Sequence, residues 1–403
     1  MANSPVGNRD LIRAINRSKI LNTIKSYGLI PRAEIARLTG LSPATVTGIT
    51  ADLIQDNLVF EKEVGDSSGG RRPIMLAINP HGGCVVGIKV MEDHALGALT
   101  DLEASLLVKQ SFPLTDTSPE GVSLAVGELV VELLRLSANP LSSLMGVGVG
   151  LAGIVDSGQG IVCQSPFFGW TDVPLRELIQ NRVHVPVYID NDVNTLAFAE
   201  KWFGAGQGIN DFLVVTFGRG IGLGIVVNGQ FHHGLRGGAG ELGHTVIRPG
   251  GELCACGKRG CLEMYVSEPA MLRQASEAFN QGQLASQPHT PEELVALAES
   301  GAAPAREILV QAGQLLGQSI ANLINIFNPQ CILINGEGVR AGRWLFDAMR
   351  ASIDEHTLPS LRQDVSILVE PLGDDAWARG AASLVLHELF ESPINRQRDS
   401  EIA

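Results

Sequence analysis

Residues 31–50 read PRAEIARLTGLSPATVTGIT, two short helical patterns divided by a glycine. Gly40 stops the first, and Ser42-Pro43 starts the second with an N-cap hydroxyl followed by proline at the first helical position. Within the second pattern Val46, Ile49 and Leu53 recur at i, i+3 and i+7 and face inward. Thr45, Thr47 and Thr50 are expected on its other faces. Upstream, Leu11, Ile12, Ile15, Ile20, Leu21 and Ile24 form another helical run that Gly28 ends. Downstream, LVFEKEV and PIMLAIN read as two strands joined by GDSSGGRR, a hairpin tip bearing Arg71 and Arg72. Three helices and a basic hairpin make a winged helix-turn-helix pattern, whose second motif helix enters the major groove. Ser42, Ala44, Thr45 and Thr47 are the candidate DNA contacts on that helix, and the two arginines suit phosphate or the minor groove. The competing reading is a helical module for protein contacts.

Charge divides the chain in the same place. Residues 1–80 carry ten Lys/Arg against seven Asp/Glu, while the remainder carries 20 against 36. A basic head on an acidic body suggests that only the head meets a polyanion. The 403 residues are enough for two or three domains, and 45% hydrophobic with 18% charged residues excludes a disordered, collagenous or coiled-coil chain. Neither a membrane span nor the apolar core of a signal peptide is visible, so a soluble cytoplasmic protein is expected.

Beyond a hinge at PHGG (80–83) the pattern turns α/β, with strands followed by helices in each of two halves. We expect a head over 1–80, a first lobe over 81–200, a second lobe over 201–390 with its C-terminal segment packing back on the first, and a polar tail over 391–403. His244, Cys254, Cys256 and Cys261 follow the pattern H-x9-C-x-C-x4-C. Three thiolates and an imidazole are a closed tetrahedral zinc set, hence one structural zinc per chain, rather than reduced free cysteines.

Three segments then resemble one family: GELGHTVIRPGGELCACGKRGCLEMY at 240–265, YIDNDVNTLAFAE at 188–200, and FGRGIGLGIVVNG at 217–229. They are similar to the ROK family of sugar kinases and sugar-responsive repressors, and the head places the chain nearer the repressor branch. The resemblance implies a two-lobed actin-like, RNase H-like fold. It also implies a sugar site made of Asn191, Asp192, Glu241, His244 and Glu263, lying in an interlobe cleft. Carboxylates and an amide suit a polyhydroxylated ligand. The alternative for Asp192 is an ordinary helix cap.

A family kinase would also carry Asp-x-Gly-Gly-Thr on its first strand, to place metal and ATP phosphates. Here the strand reads GIKVMEDH, with Lys89 in place of the acid, and Arg219 replaces a small hydroxyl residue in the later glycine-rich turn. The expectation is therefore a non-enzymatic repressor of carbohydrate genes. It would bind a palindromic operator as a homodimer, or a dimer of dimers, and be released by a monosaccharide. A sugar kinase with a regulatory head, or a regulator controlled by docking to a transport protein, are the alternatives.

Overall fold

A computed structural model describes residues 9–63, 74–137, 143–370 and 376–390. Its head contains α1 (Arg9–Tyr27), β1 (Ile30–Pro31), α2 (Arg32–Thr39), α3 (Pro43–Gln55), β2 (Val59–Glu63) and β3 (Ile74–Ile78). Gly40 ends α2 in the left-handed region at φ 70°, with its N–H bonded to the Ala36 carbonyl. Ser42 caps α3 by accepting from the Thr45 N–H at 3.1 Å. Ile20, Ile24, Ile35, Val46, Ile49 and Leu53 are buried together with Leu76 of β3, so the helices fold onto one apolar seam. β2 and β3 pair antiparallel in the sheet order β1-β3-β2. Arg71 and Arg72 lie outside the described residues. Thr50 corrects an expectation, because it is buried inside the head and accepts a hydrogen bond from Arg32 Nε at 3.0 Å. A hydroxyl at that turn of the helix is turned inward by a partner that only the tertiary fold supplies.

The described chain divides into two compact units, residues 9–198 with 377–390, and residues 199–376. The first holds the head and a five-stranded sheet of β4 (Cys84–Val90), β5 (His94–Thr100), β6 (Leu106–Pro113), β7 (Leu144–Leu151) and β11 (Val187–Asn191). Its order is β11-β7-β4-β5-β6, antiparallel among β4, β5 and β6 and parallel from β4 through β7 to β11. Side chains alternate between faces along these strands. Val86, Ile88, Val147 and Val149 enter a core with α4 (Pro119–Ser137) and α5 (Leu175–Val183). On the opposite face Gly87 and Gly148 admit α13 (Ala376–Phe390), so closely that a Cβ on Gly148 would stand 1.8 Å from the Ala381 carbonyl oxygen. A small sheet of β8 (Ile154–Asp156), β9 (Ile161–Ser165) and β10 (Trp170–Val173) precedes α5, and α6 (Asp192–Phe203) follows β11 directly.

The second unit repeats the plan. β12 (Phe212–Phe217), β13 (Ile221–Val227), β14 (Gln230–Phe231), β15 (Cys331–Asn335) and β16 (Ser366–Val369) take the order β14-β13-β12-β15-β16. The first three again pair antiparallel and the last two join in parallel. Helices α7 (Glu263–Val266), α8 (Glu268–Asn280), α9 (Pro291–Glu299), α10 (Ala303–Phe327) and α11 (Gly342–His356) carry most of its core, and the short α12 (Pro359–Arg362) precedes β16. This is the expected α/β architecture, with two related sheets behind a winged helix-turn-helix. Among the described residues no helix is long and apolar enough to cross a membrane.

Candidate functional site

The cysteine loop is shaped before any ion is considered. Isolated bridges join Val246 to Cys261 and Leu253 to Arg259, and the Cys254 N–H donates to the Lys258 carbonyl at 2.8 Å. Gly260 lies at φ 84°, and a Cβ there would meet the Arg248 carbonyl oxygen at 1.7 Å, so only glycine closes the loop. The loop brings together the four expected donors, whose ligand atoms all lie within 4.8 Å of one another. Cys254 Sγ is 3.5 Å from His244 Nδ1, and Cys256 Sγ is 3.6 Å from Cys261 Sγ. A tetrahedral ion with metal–sulfur bonds of about 2.3 Å needs sulfur–sulfur edges of about 3.8 Å, close to this spacing. Cys254 and Cys261 are buried and Cys256 is exposed.

Electrostatics favour a cation there. Burial and the neighbouring thiols push the Cys261 thiol up to about 12, and burial raises Cys254 as well. For Cys256 the opposing effect of burial is outweighed by hydrogen bonds from the Lys258 backbone and the adjacent thiols, so its thiol lies below the ordinary value. Three thiolates crowd one place only at a cost that a divalent ion offsets. The cluster is thus chemically and geometrically fit to hold a metal.

Glu241 and Glu263 flank this loop. Glu241 precedes the single turn Leu242–His244, and its Oε2 lies 3.9 Å from His244 Nε2, the ring nitrogen turned away from Cys254. Glu263 opens α7, where its Oε2 accepts the Ile221 N–H at 3.3 Å. Glu241, His244 and Glu263 therefore share one neighbourhood in the second unit.

Asn191 and Asp192 belong to the first unit, at the junction of β11 and α6. The Asn191 amide is bonded at both ends: its Oδ1 accepts the Val193 N–H at 2.8 Å and its Nδ2 donates to the Gly153 carbonyl at 2.9 Å. Asp192 Oδ1 also takes the Val193 N–H, at 3.0 Å, while Oδ2 faces Lys89 Nζ at 3.5 Å. Lys89 lies in β4, and its ammonium sits 3.6 Å from the centroid of the Trp377 ring. The sequence marks Lys89 and Asp192 separately, but not that they pair, and it does not mark Trp377. Trp377 is nearly 300 residues away in the chain, and no local signal announces it.

On the head, Ser42, Ala44 and Thr47 are exposed and Thr45 half-buried at the start of α3. The Ser42 and Thr45 hydroxyls are 2.8 Å apart, and Thr47 Oγ1 donates to the Pro43 carbonyl at 2.8 Å. Asp52 of α3 and Asp56 at its C-cap both pair with α1, Asp52 with Arg13 and Asp56 with Arg17.

Comparison with known proteins bears on the family and the fold. The ROK family profile matches residues 85–388, and a winged helix-turn-helix DNA-binding profile matches residues 13–59. The xylose repressor of Bacillus spizizenii is 31% identical over 386 residues, covering 96% of this chain and 98% of that one. The DNA-binding transcriptional dual regulator NagC of Escherichia coli is 32% identical over 383 residues, with 94% of each chain covered. Among solved structures, a ROK family transcriptional regulator, a homologue of the E. coli MLC protein, superposes with a TM-score of 0.86 at 28% identity, over 97% of this chain and all of that one. A ROK family glucokinase from Streptomyces griseus, solved with glucose, covers only 75% of this chain, and 99% of its own, at a TM-score of 0.65 and 28% identity. The chain belongs to the ROK family, with a winged helix-turn-helix DNA-binding segment ahead of the family domain.

Proposed function

We propose that this protein is a sugar-responsive transcriptional repressor of carbohydrate genes, which binds a palindromic operator as a homodimer in the cytoplasm and is released by a monosaccharide. The observation that carries the reading is the Lys89–Asp192 ion pair in a unit that also bears a DNA-binding head. Asp192 and Asn191 would accept and donate to sugar hydroxyls, and Glu241, His244 and Glu263 are the further residues proposed for sugar binding. Ser42, Ala44, Thr45 and Thr47 would face base edges, and Arg71 and Arg72 phosphate.

The metal is taken as zinc, bound by His244, Cys254, Cys256 and Cys261. Three thiolates and an imidazole fill a tetrahedron and leave no position for water, so the ion would fix the loop and supply no reaction chemistry. Coordination through Nδ1 would leave His244 Nε2 to Glu241, orienting both groups.

The reading against enzymatic activity rests on the ammonium of Lys89, which occupies the strand position where a family kinase carries its metal-binding acid. The solved glucokinase shares the lobes but not the head, and the relatives matched over nearly the whole chain are regulators by name. A thermal-shift panel of xylose, glucose and N-acetylglucosamine with their phosphorylated forms, followed by operator titration with each stabilising sugar, tests the proposal. Stabilisation by one sugar together with weakened operator binding supports it. Sugar-dependent ADP release at about 1 per second or faster would assign the protein to the kinases instead.

A further inference from the structure

The contacts of Lys89 and of the last described helix, taken together, join the candidate sugar carboxylate to the DNA-binding head. At its first turn α13 presents Trp377, whose ring lies under the Lys89 ammonium at 3.6 Å. At its last residue the Phe390 carbonyl accepts two hydrogen bonds from α1, from Ser18 Oγ at 2.6 Å and Asn22 Nδ2 at 2.7 Å. Lys25, one turn further along α1, places its Nζ 5.1 Å from the Phe390 ring centroid. Thirteen residues separate Trp377 from Phe390, about 20 Å along a helix axis.

From these contacts we propose that α13 is the element through which occupancy of the Asp192 carboxylate is communicated to the head, with Lys89 as the positioning residue at one end and Ser18 with Asn22 as the anchor at the other. The inference rests on the reading of Asp192 as a sugar acceptor.

Lys89 is held between two attractors and is nearly buried, its side chain 12% exposed and that of Asp192 16%. Its distance to the carboxylate, 3.5 Å, is long for a charged hydrogen bond, whereas its distance to the ring is well inside the range of a cation–π contact. A ligand hydroxyl donating to Asp192 competes with the ammonium for that carboxylate and so changes the load on Trp377.

The body of α13 cannot absorb such a change by bending inward. Its backbone rests directly on the glycines of β4 and β7, and a Cβ on Gly87 would stand 2.0 Å from the Ala378 carbonyl oxygen. Gly380 is likewise pressed on the Thr195 carbonyl of α6, the helix that Asp192 begins. Backbone packed on backbone shifts as a unit, in the manner of helix displacements of about 1–2 Å.

The receiving end is specific. The carbonyls of a helix C-terminus have no partners within the helix, and the Phe390 carbonyl takes both of these partners from α1. Ser18 is itself buried, so water offers it little exchange for that bond.

The experiment uses the full-length protein without sugar and follows amide hydrogen exchange in Lys89→Met, with Trp377→Phe as a milder second variant and Lys89→Arg as the rescue. Exchange across residues 18–25 of α1 should quicken about threefold or more in the first two and return in the rescue, while α4 amides stay at the wild-type rate. A response confined to the surroundings of residues 89, 192 and 377 would overturn the relay. So would equal acceleration in α4, which would mean general loosening. In parallel, xylose and N-acetylglucosamine are titrated into wild type and into Ser18→Ala/Asn22→Ala. Retained sugar affinity with a lost effect on operator binding supports the relay, and an undiminished effect overturns it. If neither sugar binds the wild type, the sugar reading fails on its own, and the exchange comparison still decides the relay.

Discussion

The ammonium of Lys89 faces the carboxylate of Asp192 at 3.5 Å, on the first long strand of the lobe. A cation so placed repels the divalent metal that would accompany a bound nucleotide. In Lys89→Asp, two carboxylates would face each other in a nearly buried setting. The variant should lose about 3 kcal/mol of stability by chemical denaturation and still release no ADP with any sugar. Recovery of turnover from this single change would show that the lobe is a kinase blocked at one position.

Metal analysis gives an independent check. Native untagged protein should contain about one zinc per chain, and Cys256→Ser, which alters the exposed ligand, should lose most of it and lower the melting temperature of the second unit. Full zinc retention in the variant would mean that Cys256 is not a ligand.

Asp192→Asn keeps the size of the side chain and removes its charge. Operator affinity without sugar should weaken toward the sugar-bound level, because Lys89 loses the charged partner it shares with Trp377, while sugar affinity falls by about 1.5–3 kcal/mol, the range for a hydrogen bond to a charged group. Isothermal titration reads the second quantity and fluorescence anisotropy the first. An unchanged sugar response would reduce Asp192 to its bond with the Val193 N–H and its ion pair with Lys89.

Burial lowers the Lys25 ammonium from 10.5 to about 7. Between these values the unfolded chain binds the proton and the folded chain does not, so stability should rise with pH across that window. Lys25→Met should flatten the rise, as followed by urea unfolding at pH 7, 8.5 and 10. A wild-type curve that falls with pH in this interval would contradict the assignment.

On the DNA side, replacing Arg71 and Arg72 with alanine should make the salt dependence of operator binding shallower by about two ions per chain, across many sequences. Thr47→Ala should leave the slope alone and change base preference, at about 1–3 kcal/mol for the affected pair. Anisotropy over a salt series separates the two outcomes, and identical behaviour of the mutants would remove the distinction between wing and recognition helix.

Local chemistry made the head readable: Gly40, Ser42-Pro43 and the spacing of Val46, Ile49 and Leu53 all act within a few residues of one another. The metal cluster was readable for the same reason, since His244 and the three cysteines lie within 18 residues. Thr50 was not, because its burial depends on Arg32 from another helix. For the C-terminal segment a return to the first lobe was expected but its helix was not, since AWARGAASLVLHELF is buried over ten of its fifteen residues and shows no single apolar stripe. Asn191 shows a third limit. Sequence resemblance suggests a ligand contact, yet both ends of its amide already serve the β11–α6 junction.

The seating of α13 on Gly87 and Gly148 also bears on how the chain is made. The strands it covers are synthesised early, but the 178 residues of the second unit intervene before the helix emerges. At a bacterial or slower pace of about 5–20 residues per second, that delay is roughly 10–35 s. Throughout it, one face of the β4–β7 sheet lacks its cover and α1 lacks the Phe390 carbonyl. A nascent chain therefore has its recognition helix before it has the helix that braces the head, and the ribosome's pace, as well as the fold, sets when the braced form first exists.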